Sequence, residues 1–418
     1  MKRLGLFEGT GIEIEYMIVD AHSLDVAPVC DRLMHSVAGK EVPDIERGPI
    51  AWSNELALHV LELKTNGPAS SLDGLSDAFH AEVVTANRTL AELGGTERGA
   101  VLLPGGVHPW MDPLLETALW PHEYNQVYRT FDRIFGCAGH GWSNLQSTHV
   151  NLPFSGDEEF GRLHAAVRVV LSLIPALAAS SPFLDGIAQP WLDARLDAYR
   201  HNARLVPQVS GQVIPETVRS EQEYREKILE PLYRALEPHD PEGVLAHEWT
   251  NARGAIARFE RGAIEIRVID AQESPNADLA VVSLVCEVVR ALVEERWTSR
   301  DGLDKIGTEV LSEALWDTAR SGAEAVIRDA GILRAFGLTG RERSAGELWQ
   351  NLADRVAPDA AAAQYGAVVE YLVGHGPLAA RMSAAHGKGV SIEDVAGSLS
   401  ACLAKNDLFG RVEIEAER

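Results

Sequence analysis

The sequence predicts an α+β chain, with a sheet-and-helix core over residues 1–275 and a helical region over residues 276–418 packed on it. Three observations carry this. Gly11-Ile12-Glu13-Ile14-Glu15-Tyr16 alternates apolar residues with acids, and a period of two is the pattern of a strand with two unlike faces. The alternation returns at Ala263-Ile264-Glu265-Ile266-Arg267-Val268-Ile269-Asp270, where Glu265 and Arg267 share one face and Ile264, Ile266 and Val268 the other. From about Asp278 the spacing changes to that of a helix, through Leu279, Val282, Val285, Cys286, Val289, Leu292 and Val293.

The opening strand is where chemistry first shows. Side chains two apart leave a strand on the same side, so Glu13 and Glu15 emerge together, about 7 Å apart. Two neighbouring acids repel unless something positive lies between them, such as Mg²⁺, an arginine or water. An edge strand with its charged face in water accounts for this segment equally well. Irregular sequence rich in Pro, Asp and Gly follows over residues 20–50, and then a strand at 52–65 with Leu58, Val60, Glu62 and Lys64 on one face. Glu55 falls on the other face of an unbroken strand. Either a bulge or turn intervenes, or Glu55 and Glu62 do not share a site; a salt bridge from Glu62 to Lys64 or an arginine is the purely structural alternative.

Ser70 and Asp73 form an S-x-x-D helix start, Leu72 to Leu93 follow at helical spacing, and Gly94-Gly95 ends the helix. Residues 101–110 read as a strand entering a turn in which His108 is hydrogen-bonded rather than a ligand. A helix is expected over 123–137. Asn144 to Pro153 then alternate so that Ser147, His149 and Asn151 share a face suited to a polar cavity. A long apolar helix over 157–180, with a kink or break at Pro175, precedes Arg195, Arg200 and Arg204, which fit either an anion site or a solvated helix face. Helical segments continue to the C-terminus, broken at Gly331, Gly337, Gly346, Pro358 and residues 374–377.

Composition narrows the function classes. With 61 acidic and 38 basic residues the formal charge is −23, which argues against duplex DNA or an anionic membrane as partner. Nucleotides stay allowed, since local arginines and Mg²⁺ bind them. Cys30, Cys137, Cys286 and Cys402 are scattered without a CxxC pair, which suits a reducing compartment. No apolar run has the length of a membrane span, and the N-terminus lacks the apolar run of a signal peptide. A cytoplasmic location is the expectation.

Taken together, the segments resemble glutamate–cysteine ligase family 2. The likeness rests on Gly11-Ile12-Glu13-Ile14-Glu15-Tyr16, Glu62-Leu63-Lys64-Thr65, Gly105-Gly106-Val107-His108-Pro109, His149-Val150-Asn151, Ala179-Ser180-Ser181-Pro182-Phe183 and Ala263 to Asp270, which follow one another in the family's order over residues 11–275. Gly376-Pro377-Leu378-Ala379-Ala380-Arg381 agrees more loosely with a Gly-Thr-Gly-Ala run. Asn151 stands where many members carry a second histidine, Val107 where a Thr is common, and Ala263 likewise; these departures leave the acids in place and bear on the substrate.

The resemblance implies a glutamine-synthetase-like fold, a mostly antiparallel curled sheet forming a funnel with helices outside. It implies ATP and two or three Mg²⁺ ions, with Mn²⁺ as an alternative, held by Glu13, Glu15, Glu55, Glu62, His149 and Glu265. Asn151, Arg258 and Arg267 are expected at the nucleotide, and Arg267 and Glu265 in catalysis. The implied reaction phosphorylates a carboxylate, on the likeness the γ-carboxylate of glutamate, which an amine such as cysteine then attacks. Small molecules, with no nucleic acid and no membrane, are the expected partners, and a homo-oligomer is open. The same acids suit two other enzymes, a metal-dependent amide hydrolase and a guanidino kinase, and a binding protein without catalysis is a further alternative.

Overall fold

A computed structural model describes residues 3–93, 99–357 and 364–411 of the chain. Its main sheet has eight strands: β1 (Gly11–Asp20), β2 (Asp44–Arg47), β3 (Ile50–Asn54), β4 (Val60–Thr65), β5 (Ala100–Leu103), β6 (Ser147–Pro153), β9 (Ala255–Arg258) and β10 (Ala263–Asp270). A short ribbon of β7 (Phe183–Leu184) and β8 (Ile187–Ala188) lies apart. The strands run in the order β2-β3-β4-β1-β6-β10-β9, with β5 also paired to β1, and every pairing is antiparallel. The sheet is open, with β2 and β9 at its edges.

The alternation in the sequence becomes the two faces of this sheet. Ile12, Ile14 and Tyr16 of β1, Leu61 and Leu63 of β4, Val150 and Leu152 of β6, and Ile264 and Ile266 of β10 are buried in one apolar cluster. The helices Leu75–Glu92, Gly156–Leu171 and Pro275–Val293 cover that face. Each such side chain contributes about 1.5–3 kcal/mol on leaving water. Ser274 caps the last of these helices by accepting from Ala277 N at 3.4 Å, and Pro275 stands at its first position. The apolar cluster continues without a break from Ile12 to Leu408. No helix among the described residues is long and apolar enough to cross a membrane.

The elements differ from expectation in several places. The irregular 20–50 stretch contains the helix Cys30–Ala38 and strand β2, and the single 52–65 strand is the hairpin β3–β4. Ser70 and Asp73 do not cap the 75–92 helix, because the chain enters it through Gly74 in the left-handed region at φ +71°. The 157–180 helix is two helices, Gly156–Leu171 and Ile174–Ala178, with Pro175 in the first turn of the second, where its missing N–H costs nothing. Gly331 and Gly346 lie in the first turns of the helices Ala330–Ala335 and Ala345–Val356, whereas Gly337, at φ +68°, does follow a helix end. A ribbon of β11 (Val326–Ile327) and β12 (Arg343–Ser344) brackets the first of these helices. The Gly94-Gly95 stop and the Pro358 break lie outside the described residues.

Candidate functional site

The register of β1 with its neighbours assembles the polar face. Glu13 stands opposite Lys64 of β4 and His149 of β6, and Glu15 opposite Glu62. Asn151 pairs with Gly11 on one side and Glu265 on the other. Glu55 is not on a strand. It lies in the turn between β3 and β4, and that turn carries it to the face that an unbroken strand would have denied it.

Two groups result, sharing Glu62. Glu13, Glu62 and His149 form one, and Glu15, Glu55 and Glu62 the other; within each group one ligand atom per residue lies within 4.8 Å of the others. Neighbours hold them in place. Ser147 donates to Glu15 Oε2 from its backbone N at 2.7 Å and its hydroxyl at 3.1 Å. His149 sits between the Ser147 hydroxyl, 2.8 Å from Nε2, and Glu13 Oε2, 3.2 Å from Nδ1. Asn151 Nδ2 donates to Glu13 Oε1 at 3.3 Å, and Ser53 Oγ donates to Glu62 Oε1. Lys64 Nζ lies 3.4 Å from Glu62 and 2.8 Å from Asp44.

The electrostatics divide the acids. Burial, then repulsion from Glu62, Glu15 and Glu13, pushes the Glu55 carboxyl well above its ordinary range. Burial and Glu13 push Glu62 up to about 7. Burial acts on Glu13 too, but the hydrogen bond and charge of His149, with Lys64 and Arg261, outweigh it and bring Glu13 down to about 2. Burial lowers the His149 imidazole, and the bond to Glu13 and the charge of Glu15 more than restore it, so the ring is raised. Hard oxygens at this spacing suit a divalent cation such as Mg²⁺ or Mn²⁺, which would relieve the repulsion that raises Glu55 and Glu62.

Arginines occupy the other side of the face. Glu265 is not in either acid group: its Oε2 lies 3.0 Å from Arg258 Nη1 and its Oε1 3.4 Å from Arg267 Nε. A register shift in β10 between Ile266 and Ile269, an added residue relative to β6, sets the local position of Arg267. Beneath it Arg195 forms a buried ion pair with Asp270, which also accepts from Ser180 N at 2.7 Å and Ser181 Oγ at 2.8 Å. The fit is close: a Cβ on Gly106 would meet Asp270 Oδ2 at 2.6 Å.

Acids and arginines line one cavity of about 600 Å³ that includes Glu15, Glu55, His149, Arg195, Arg258, Arg261, Glu265 and Arg267. Tyr124, Tyr128, Phe131, Trp142 and Trp249 give it an aromatic wall, and Tyr199 brings a buried hydroxyl that has no hydrogen-bond partner among the described residues. Of the three arginines in the 195–204 segment only Arg195 reaches it. Arg200 lies over Trp191 and Trp316, with ring centroids 5.0 and 4.5 Å away, and Arg204 is exposed. His108 is the turn residue expected, with Nε2 2.8 Å from Leu24 O. Sequence reasoning did not single out Arg261, Tyr199 or the aromatic wall. Arg261 had a visible signal in its spacing from Arg258 ahead of a strand; the others come from helices and loops whose placement is not local.

The model of glutamate-cysteine ligase family 2 matches residues 10–396. An uncharacterized protein of Archaeoglobus fulgidus is 35% identical over 314 residues, covering 75% of this chain and 80% of its own. A protein of Rubrobacter xylanophilus, provisionally named glutamate–cysteine ligase 2-3, is 28% identical over 321 residues, covering 76% and 77%. In structure, the chain is similar to the glutamate–cysteine ligase of Francisella tularensis in complex with AMP, with a TM-score of 0.58 over 99% of this chain and 92% of that one at 13% identity.

Proposed function

The chain belongs to glutamate–cysteine ligase family 2 and is an ATP-dependent ligase that forms amide bonds; from that premise we propose that it phosphorylates the γ-carboxylate of glutamate, or a similar acid, and joins the acyl phosphate to a small amine such as cysteine. The observation that carries this reading is one cavity lined by Glu15, Glu55 and His149, members of the two acid groups that share Glu62, and by Arg258, Arg261 and Arg267. Carboxylate and amine do not condense readily, because O⁻ is a poor leaving group. Moving the γ-phosphoryl of ATP onto a carboxylate oxygen releases ADP and leaves an acyl phosphate. The amine then attacks the carbonyl carbon, the C–N bond forms, and phosphate departs with the electrons of the C–O bond. Such transfer asks the protein for positioning and charge compensation.

In this reading the sheet's polar face is the wall of a funnel, and Glu13, Glu15, Glu55, Glu62 and His149 hold Mg²⁺ there. Bound magnesium would supply Lewis-acid compensation of the phosphate charge. Arg267 faces the transferred group, and Arg258 and Asn151 the nucleotide. Glu265 fixes the two guanidinium groups beside it. Arg195, tied to Asp270, supports the Arg267 backbone carbonyl, 3.3 Å from its Nη2. The aromatic wall excludes water that would hydrolyse the acyl phosphate.

The test is phosphate release from Mg-ATP with L-glutamate, with and without L-cysteine and a panel of small amines, the product identified by mass. Release that depends on both an acid and an amine, and is lost in Arg267→Gln, is the expected result. No release with any pair overturns the reading, and amide cleavage without ATP would then identify a hydrolase.

A further inference from the structure

An amide-forming ligase needs an amine, and the aromatic wall of the cavity bears on which. Tyr124, Tyr128 and Phe131 come from the start and body of the helix Asn125–Phe135, and Trp142 from the short helix His140–Ser143. The ring centroids of Phe131 and Trp142 are 5.1 Å apart, and those of Phe131 and Trp249 6.0 Å. Behind them Ile134, Val206, Leu232, Leu236 and Leu245 form an apolar cluster of their own, apart from the core under the sheet. That cluster holds the rear of the wall, and the front stays open. Tyr124 is 53% exposed, and Leu56, Val127, Tyr128, Trp142 and Leu145 each keep part of their surface accessible. Large apolar side chains left open on a reaction cavity are a seat for the body of a ligand.

The wall has two ends. Asn54 Nδ2 donates to the Tyr128 hydroxyl at 3.1 Å, so Tyr128 stands beside the β3–β4 turn that carries Glu55. Trp249 leads the other way, toward Arg258 and Arg261, since the neighbouring Glu248 accepts from Glu260 N at 3.4 Å. The cations of the lining divide in the same manner. Arg258, Arg261 and Arg267 stand on β9, β10 and the hairpin between them. Arg195 is on the helix Ala194–Asn202, which meets Trp142 through a bond of 3.1 Å from its Nε1 to Asn202 O. Its side chain is 2% exposed and already paired with Asp270. Among the described residues, the end formed by Tyr124, Tyr128 and Trp142 therefore offers aromatic faces and no lining cation free to meet a carboxylate.

We propose, on the premise of the ligase reading, that the acceptor is a primary amine on an aromatic or comparably large apolar body, with no carboxylate beside the nitrogen, in preference to an amino acid such as cysteine. The body lies against Tyr124, Tyr128 and Trp142 in the offset or edge-on contacts that aromatic rings favour. The nitrogen points past Glu55 to the acyl phosphate. A carboxylate on the same carbon would lose water there without gaining a partner. In the transfer the lone pair of the neutral amine forms the C–N bond, the C–O bond breaks toward phosphate, and the surplus proton of the nitrogen leaves on that phosphate.

The experiment measures phosphate release from Mg-ATP and L-glutamate with 2-phenylethylamine, ethylamine, L-phenylalanine and L-cysteine, each product identified by mass. The kcat/KM for 2-phenylethylamine is expected to exceed the others by about tenfold or more, since ethylamine lacks the body and L-phenylalanine adds the carboxylate. Tyr124→Ala, at an exposed position, and Trp142→Leu are expected to raise its KM about three- to tenfold and to move the KM for ATP by less than about twofold. Should Trp142→Leu fail to fold, Tyr124→Ala decides. No release with any acceptor overturns the ligase reading and the proposal together. Release that is equal or greater with ethylamine, L-phenylalanine or L-cysteine keeps the ligase and overturns the proposal. So does an unmoved KM for the amine in the folded variants, and a rise confined to the KM for ATP would assign the wall to adenine instead.

Discussion

Buried carboxylates lie on both sides of the sheet at strands β1 and β6, one of them on the Pro275–Val293 helix and the others on β1, β4 and the β3–β4 turn, and the two sides treat them oppositely. On the helix-covered side Asp278 is surrounded by neutral donors: Thr148 Oγ1 at 2.6 Å, Gln272 N at 2.9 Å and Tyr16 OH at 3.5 Å. On the cavity side Glu15, Glu55 and Glu62 face one another. Burial raises acids on both sides, Asp278 to about 7 with one acid, Glu273, adding to the rise, and Glu62 also to about 7 with Glu13 and Glu15 of the acid groups adding to it. The surroundings of a buried acid thus separate a structural one from a functional one. Asp278 has its donors within the fold and fastens the start of the Pro275–Val293 helix to the sheet. The cavity acids are left in mutual repulsion, which a cation from outside would relieve.

The largest effect expected from this contrast is catalytic. Glu62→Gln, which takes the shared member from both acid groups, should lower ATP-dependent turnover by about 10²–10³-fold or more. The same variant should melt no lower than the wild type in metal-free buffer, because it removes repulsion; a clear fall in melting temperature would contradict the assignment. Next comes Arg195→Met, which leaves Asp270 buried and unpaired and should cost about 3–5 kcal/mol in denaturant unfolding. Asp278→Ala should cost about 2–4 kcal/mol, since it strands the Thr148 hydroxyl and the Gln272 N–H and opens a small void.

The pH dependence sharpens the comparison further. Asp278 moves from 3.8 to about 7 and Glu62 from 4.5 to about 7, so the folded protein keeps protons that the unfolded chain releases. Stability therefore falls as pH rises from about 4 to about 7, and the loss is complete above that window. Mg²⁺ should reduce the fall in the wild type and leave unchanged the part that Asp278→Asn removes; melting curves at pH 4.5–7.5 with and without the ion measure both. The smallest effect is at the surface. Arg219 is half exposed in its pairs with Asp301 and Asp304, and Arg219→Ala should leave the melting temperature nearly unchanged, the small difference vanishing in high salt.

Much of this was legible in the chain itself. The alternation of Ile12-Glu13-Ile14-Glu15-Tyr16 requires both acids on one face and the apolar residues on the other, because side-chain direction in a strand is set by position alone. The same local rule put Ser147, His149 and Asn151 together, and Glu265 with Arg267. It could not say which faces would meet. Glu55 reached the acids only because the chain turns after Asn54, and Glu265 was drawn to Arg258 because β9 pairs with β10. Arg195 and Tyr199 arrive on a helix after the Ser180-Ser181 segment; the run of arginines there was visible in the sequence, but which of them reaches the cavity was not, and nothing local marked Tyr199. Period and spacing act over a few residues and are written in sequence. Register, bulges and the docking of one segment on another join residues up to some 250 positions apart, as Glu13 with His149 and Arg267 show, and only the packed tertiary structure decided those.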